Sequence, residues 1–245
     1  MKFFYCLLFM GIAYYPVSAQ APVMPKDGGS ESGNYRLQRF YISEPLYGLQ
    51  KIKGLIRGFV PIPSAPKKVD TKIYDLFSLP EKFTYNMIYP ESFSQLCSRM
   101  LQVEDEQNKL FAYLPDVFGT QAWSKKQRDF FQDNRDSVIK LLKACILSNN
   151  RLGLNFKWVI VNINAKSLIP LIISVYNFDK KDHDLLTVLM LLMYENHYSE
   201  FLNSRIWKDL YSGADANYKW FIDAGGETGD LVINYATNFY NAQPK

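Results

Sequence analysis

Histidine and cysteine are nearly missing from this chain, with two and three residues respectively in 245. Metal centres and thiol nucleophiles are assembled from clusters of those side chains, so most zinc, haem and cysteine chemistry is excluded at the outset. There is no Gly-x-Ser-x-Gly elbow, no Gly-x-x-x-x-Gly-Lys-Ser/Thr phosphate loop, no His-Glu-x-x-His helix and no Cys-x-x-Cys pair. The common hydrolase, nucleotide-binding and redox motifs are therefore absent. No Asn-x-Ser/Thr sequon occurs either. Glycine (13) and proline (12) are ordinary in number, which excludes collagen-like and low-complexity chains. Charge is close to balance, with a formal net of +4, too little to point to nucleic acid as a partner. Neither a cofactor nor a metal site is expected.

What is present is apolar and aromatic: 48% hydrophobic residues and 16% Phe, Trp and Tyr. That is ample material for a folded core and inconsistent with a disordered chain. The longest apolar run is at the start. Residues 1–19 read Met-Lys, then Phe3 to Val17 with hardly a polar group, then Ser18-Ala19. A basic residue, a short apolar run and small residues at its end predict a secretory signal peptide cleaved before Gln20. The run is shorter than the ~20 residues that span a bilayer and is interrupted by Gly11 and Pro16. The expected destination is the periplasm or the extracellular space. In such an oxidising compartment Cys97 and Cys145 form a candidate disulfide, closing a loop of about 49 residues worth roughly 4 kcal/mol. The alternative is two small core hydrophobes on helix faces.

Three further segments follow. Residues 20–34 are rich in Pro, Gly and Ser and read as a flexible leader. Residues 35–72 carry eight Lys/Arg against Glu44 and Asp70 and read as a basic, proline-containing arm. Within it Leu49, Ile52, Leu55, Ile56 and Phe59 share one face of a helix, with Lys53 and Arg57 opposite. That face is expected to pack on the body, the other reading being peripheral contact with an anionic membrane through residues 35–72. Pro61 to Pro66 makes a stiff connector.

Residues 73–245 have helical periodicity almost throughout and predict a mainly all-α domain. Pro90-Glu91 suits a helix start, continued by Phe93, Leu96, Cys97, Met100 and Leu101. Ser124-Lys-Lys-Gln127 is a capping box, opening a helix that ends at Asn149-Asn150. Further helices are expected over 156–163, 167–176, 184–194, 199–211 and 230–240. Asp223 to Gly229 reads as a turn before the last of these, with Thr228 or Asp230 as its cap. Between about Leu152 and Ile206, a helix leading to Leu168-Ile-Pro170-Leu-Ile, a turn at Phe178 to Asp182 and another apolar helix resembles a HEAT-like helical repeat. The resemblance implies stacked helix pairs, a short α-solenoid. The basic residue such repeats carry early in the next helix is replaced here by Leu185-Leu186-Thr187. An irregular helical bundle fits the pattern equally.

His183 lies in Asp182-His183-Asp184 and His197 follows Glu195 by two residues. Fourteen residues apart along one helix, they are roughly 20 Å distant and cannot share an ion. Both are expected at the surface. Glu104, Glu106, Glu195 and Glu200 are likewise expected on helix surfaces or ends. Aromatics thicken toward the C-terminus, where Tyr198, Trp207, Tyr211, Tyr218 and Trp220 are candidate interface residues. Two functions follow: an exported, non-catalytic helical protein that binds a protein or an envelope component, or an envelope hydrolase acting on glycan or peptide with a Glu general acid.

Overall fold

The computed structural model describes residues 30–59, 66–94, 103–211 and 220–243. The expected signal peptide (1–19), most of the expected leader, most of the Pro61–Pro66 connector, Cys97 and Tyr218 lie outside the described residues. The fold is mainly α-helical. Among the described residues, strands appear only as two short antiparallel pairs.

The centre of the molecule is α9 (Asp184–Glu195), in which every side chain from Asp184 to Met193 is buried. Leu-Leu-Thr-Val-Leu-Met-Leu-Leu-Met is apolar around the whole circumference, and such a helix is stable only when enclosed. It packs against α7 (Leu154–Asn162), α8 (Ile169–Asp179), the short α10 (Ser199–Leu202) and α12 (Glu227–Asn241). It also packs against β2 (Lys109–Phe111), which pairs with β4 (Phe221–Asp223). Thr187 is the one polar residue within that apolar run, and its hydroxyl donates to the Phe111 carbonyl at 2.8 Å. In a solenoid each unit meets only its neighbours; here one helix is surrounded, so the irregular bundle is the better description.

Local signals explain the helix ends. Ser124 and Gln127 form the expected capping box on α5 (Lys125–Asp133), and Ser78 with Glu81 forms another on α4 (Leu79–Ile88). The helix expected from Ser124 to Asn149 breaks at Asn134, so that α6 (Arg135–Asn149) is separate; it ends at Asn150 in the left-handed region. Of residues 156–163, 156–162 are helical, within α7, and Ile163 caps its end. Residues 199–211 divide into α10 and α11 (Arg205–Tyr211). Gly226 precedes α12, so Thr228 and Asp230 lie inside its first turn and neither caps it.

One further expectation is corrected. Pro90-Glu91 does not open a helix: Ser92–Phe93 is extended (β1) and pairs with Gln121–Ala122 (β3). Glu91 is drawn into the start of α5 instead, where its backbone N–H donates to Gln127 Oε1 at 3.0 Å. The boundary expected between residues 34 and 35 falls inside α1 (Glu31–Arg39), whose N-terminus Ser30 caps by accepting from the Gly33 N–H. Likewise the boundary at 72/73 falls inside α3 (Thr71–Asp75).

Residues 35–59 are thereby part of the folded body. Asn155 accepts from the Ser43 N–H and donates to the carbonyls of Ser43 and Met87, joining this segment to α4 and α7. Gly153 permits the join, because a Cβ there would come within 2.2 Å of the Ser43 nitrogen. The apolar face of α2 (Leu49–Arg57) turns inward. Ile52 is fully buried with Val69, Tyr74, Phe77 and Tyr85, flanked by Leu55, Ile56 and Phe59. Burial of Ile52 alone contributes ~1.5–3 kcal/mol.

Candidate functional site

Three of the five candidate interface aromatics converge. Trp207 and Tyr211 stand four residues apart on α11 and so share a face. Ser204 fixes the start of that helix, accepting from the Trp207 N–H at 3.1 Å. Tyr194, from the last turn of α9, stacks on Trp207 at 5.1 Å between ring centres, and Trp207 stacks on Tyr211 at 4.4 Å. Tyr113 meets Tyr211 edge-on at 5.5 Å. The Tyr211 hydroxyl donates to the Ala112 carbonyl, and burial raises its pKa well above the ordinary phenol range. Trp220 adjoins this row: its Nε1 donates to the Asp209 carbonyl, and its own carbonyl accepts from the Ala112 N–H. Tyr194, Trp220 and neighbouring Phe221 are each roughly two-fifths exposed (41, 40 and 37%). The result is a layered aromatic surface in which Tyr211 and Trp220 are fixed by hydrogen bonds to backbone carbonyls and part of the area is open to solvent.

Tyr198 is elsewhere. Its ring packs on Phe239, and its hydroxyl donates to Glu200 at 2.5 Å. Burial first, then Glu200, pushes its pKa up to about 12. Cys145 is a buried free thiol beside Tyr47, and burial raises its pKa.

A second constellation was not visible in the sequence. Glu106, expected on a surface, is fully buried in a 3-10 turn, Glu106–Asn108. Its Oε2 accepts from Arg36 Nε at 2.7 Å and its Oε1 from Arg39 Nη1 at 2.8 Å. Arg39 also forks onto Asp184 at 3.0–3.1 Å, with its guanidinium 3.8 Å from the centre of the Phe111 ring. Lys157 completes the set through Asp182 at 2.6 Å. Burial opposes the Arg39 charge, but Asp184 by charge and hydrogen bond, helped by Glu106, holds its pKa above the ordinary guanidinium range.

His183 belongs to the same region and is not the surface residue expected. Its ring lies 6.0 Å from that of Tyr35 and 6.3 Å from that of Tyr176, with Nδ1 3.2 Å from the Lys109 carbonyl. Burial lowers its pKa. His197 is exposed, in a left-handed turn at φ 51°. Among the described residues no group of three His, Cys, Asp or Glu side chains is placed to hold a metal ion.

Glu91 is the other buried carboxylate of note. Tyr85 donates to Oε1 at 2.8 Å and Ser124 to Oε2 at 3.1 Å. Both oxygens of Glu91 and both of Glu106 are thus engaged by protein donors. The remaining expected glutamates, Glu104, Glu195 and Glu200, are exposed. No family model matches the chain, nor does any curated protein or solved structure.

Proposed function

We propose that this chain is an exported, non-catalytic helical protein that binds another protein or a component of the cell envelope through the Tyr194–Trp207–Tyr211–Trp220 surface. The observation that carries this reading is the half-open aromatic stack. Stacked rings, with Tyr211 and Trp220 anchored to the backbone, offer large contact area with little side-chain entropy left to lose, the property that makes Tyr and Trp effective interface anchors. Export rests on the sequence pattern of residues 1–19 and would place the partner in the same compartment. The hydrolase reading requires a carboxyl that can deliver a proton to a substrate, whereas both buried glutamates described above already serve protein donors.

The test is photo-crosslinking in the native envelope with the wild type and with Trp207→Ala and Trp220→Ala, alongside N-terminal sequencing of the isolated protein. A crosslinked partner present with the wild type and lost in both variants, with folding retained, supports the reading. Undiminished crosslinking in both variants refutes the surface. A mature N-terminus at Gln20 supports export, and an intact Met1 refutes cleavage.

A further inference from the structure

Five lysines, Lys67, Lys68, Lys72, Lys82 and Lys126, stand on α3, on the chain leading into it or over rings of the cluster it covers, and form a cationic face. We propose that this face docks on the surface of an anionic phospholipid bilayer, with Ile73 and Leu76 entering the headgroup region among Lys67, Lys68, Lys72, Lys82 and Lys126.

The apolar part is unusual in its exposure. Leu76, closing α3, is 82% exposed, and Ile73 one turn earlier is 41% exposed. Their neighbours Tyr74 and Phe77 point the other way, into the cluster with Ile52 and Tyr85. Three of the lysines lie over rings of the cluster that α3 covers. The Lys126 and Lys82 ammonium groups lie 4.2 and 5.1 Å from the centre of the Tyr74 ring, and Lys67 lies 5.5 Å from that of Phe59. Lys68 and Lys72 are exposed on the same stretch as Ile73. None of these five forms an ion pair with a carboxylate of the described residues, in contrast to Lys51, which is paired with Glu81 at 2.8 Å. Two carboxylates share the stretch, and one of them, Asp70, accepts from the Lys72 N–H as the cap of α3. The balance of the face is positive.

Charge complementarity selects an anionic partner, and the aliphatic tip selects among anionic partners. Nucleic acid offers phosphate but no apolar layer for Leu76. A bilayer surface offers both, with the lysine stems lying along the apolar boundary and the ammonium groups at the phosphate level. The α2 face plays no part, since Ile52 is enclosed within the protein. The surface is separate from the aromatic stack, so either proposal can fail alone.

The experiment is flotation of the full chain, isolated from the cells that make it, with vesicles of phosphatidylglycerol and phosphatidylcholine or of phosphatidylcholine alone. Binding to the anionic vesicles only, weakened by salt, is expected. Each lysine near such a surface is worth roughly fivefold in partitioning, so Lys67→Gln/Lys68→Gln/Lys72→Gln together should lower it about a hundredfold. Leu76→Ser should lower it about tenfold or more, without lowering the melting temperature of so exposed a site, and Trp220→Ala should leave it unchanged. Absent wild-type binding overturns the proposal, as does equal binding to neutral vesicles. Partitioning of the lysine and Leu76 variants equal to that of the wild type does so too, and so does binding to DNA or an acidic polypeptide without binding to vesicles.

Discussion

Two junctions in this protein bury carboxylates by opposite means. At the first, α1 meets Glu106 and the start of α9, and carboxylate is met by cation: Arg36 and Arg39 on Glu106, Arg39 on Asp184, Lys157 on Asp182. At the second, α4 meets the start of α5, and Glu91 is met by neutral donors, the hydroxyls of Tyr85 and Ser124. Its position beside the first turn of α5 also favours negative charge through the helix dipole. At the first junction Arg36 and Arg39 of α1 reach partners 67 to 145 positions away, with only Lys157 and Asp182 nearer, at 25; the second joins residues 6 to 36 apart. A distant helix held by a charge network has few wrong ways to dock, because each misplacement strands a buried charge. A nearby one is already constrained by the chain and needs only satisfied hydrogen bonds.

The sharpest way to break the contrast is at Arg39. Arg39→Met removes the only cation touching both Glu106 and Asp184 among the described residues, and should destabilise by about 3–5 kcal/mol, measured by urea denaturation. The triple change Arg39→Met, Glu106→Gln, Asp184→Asn should recover much of that loss, since the penalty lies in unpaired buried charge more than in the missing attraction. If the triple variant is no more stable than Arg39→Met, the network acts through shape and not charge.

Glu91→Gln probes the second junction and should have a smaller effect. The amide keeps one acceptor oxygen and turns its NH2 toward a hydroxyl that previously donated, leaving one polar contact unmade at about 1–3 kcal/mol. The Tyr85 phenol offers a second readout. Burial first, then the Glu91 charge, raises its pKa far above the ordinary phenol value, so Glu91→Gln should shift its alkaline ultraviolet titration toward lower pH. An unmoved titration would mean that Glu91 carries no charge felt by Tyr85.

The sequence reveals these two junctions unequally. The capping box at Ser124 is visible in four residues, whereas Pro90-Glu91 suggests a helix start where the chain is extended, and nothing local shows that Glu91 reaches α5. The α9 run was legible because a continuous apolar helix can only be enclosed. The charge network was not legible. In α1 the buried side chains include Tyr35, Arg36 and Arg39, whereas Leu37 is only partly covered, an inversion of the usual apolar-in pattern that no periodicity detects. Glu106 lies in Glu-Asp-Glu-Gln-Asn-Lys, a stretch whose composition reads as surface. Long-range pairing of charge leaves no local signature. The aromatic stack was half legible: enrichment near the C-terminus was plain, while Tyr113 and Tyr194 join it only through the tertiary fold.

The smallest expected effect tests whether the first junction extends to His183, between Asp182 and Asp184. Burial lowers the affinity of the imidazole for a proton; the Lys109 carbonyl, Asp182 and Asp184 oppose that shift without cancelling it, so the folded pKa lies below 6.5. In the unfolded chain the group titrates near 6.5. Between those two values the unfolded state holds a proton that the folded state lacks, so stability rises with pH there. The His183 contribution is therefore intact above 6.5 and lost as pH falls through 6.5 toward the folded value. Asp182 works in the opposite sense lower down: burial first raises its pKa above 3.8, so the folded state gains a proton early and is favoured as pH falls. That effect is common to the wild type and to His183→Gln and cancels in their difference. The two proteins should have similar melting temperatures at about pH 7.5, with the wild type losing more by about pH 5.5. Parallel melting curves across that range would show that His183 is no part of the charged junction.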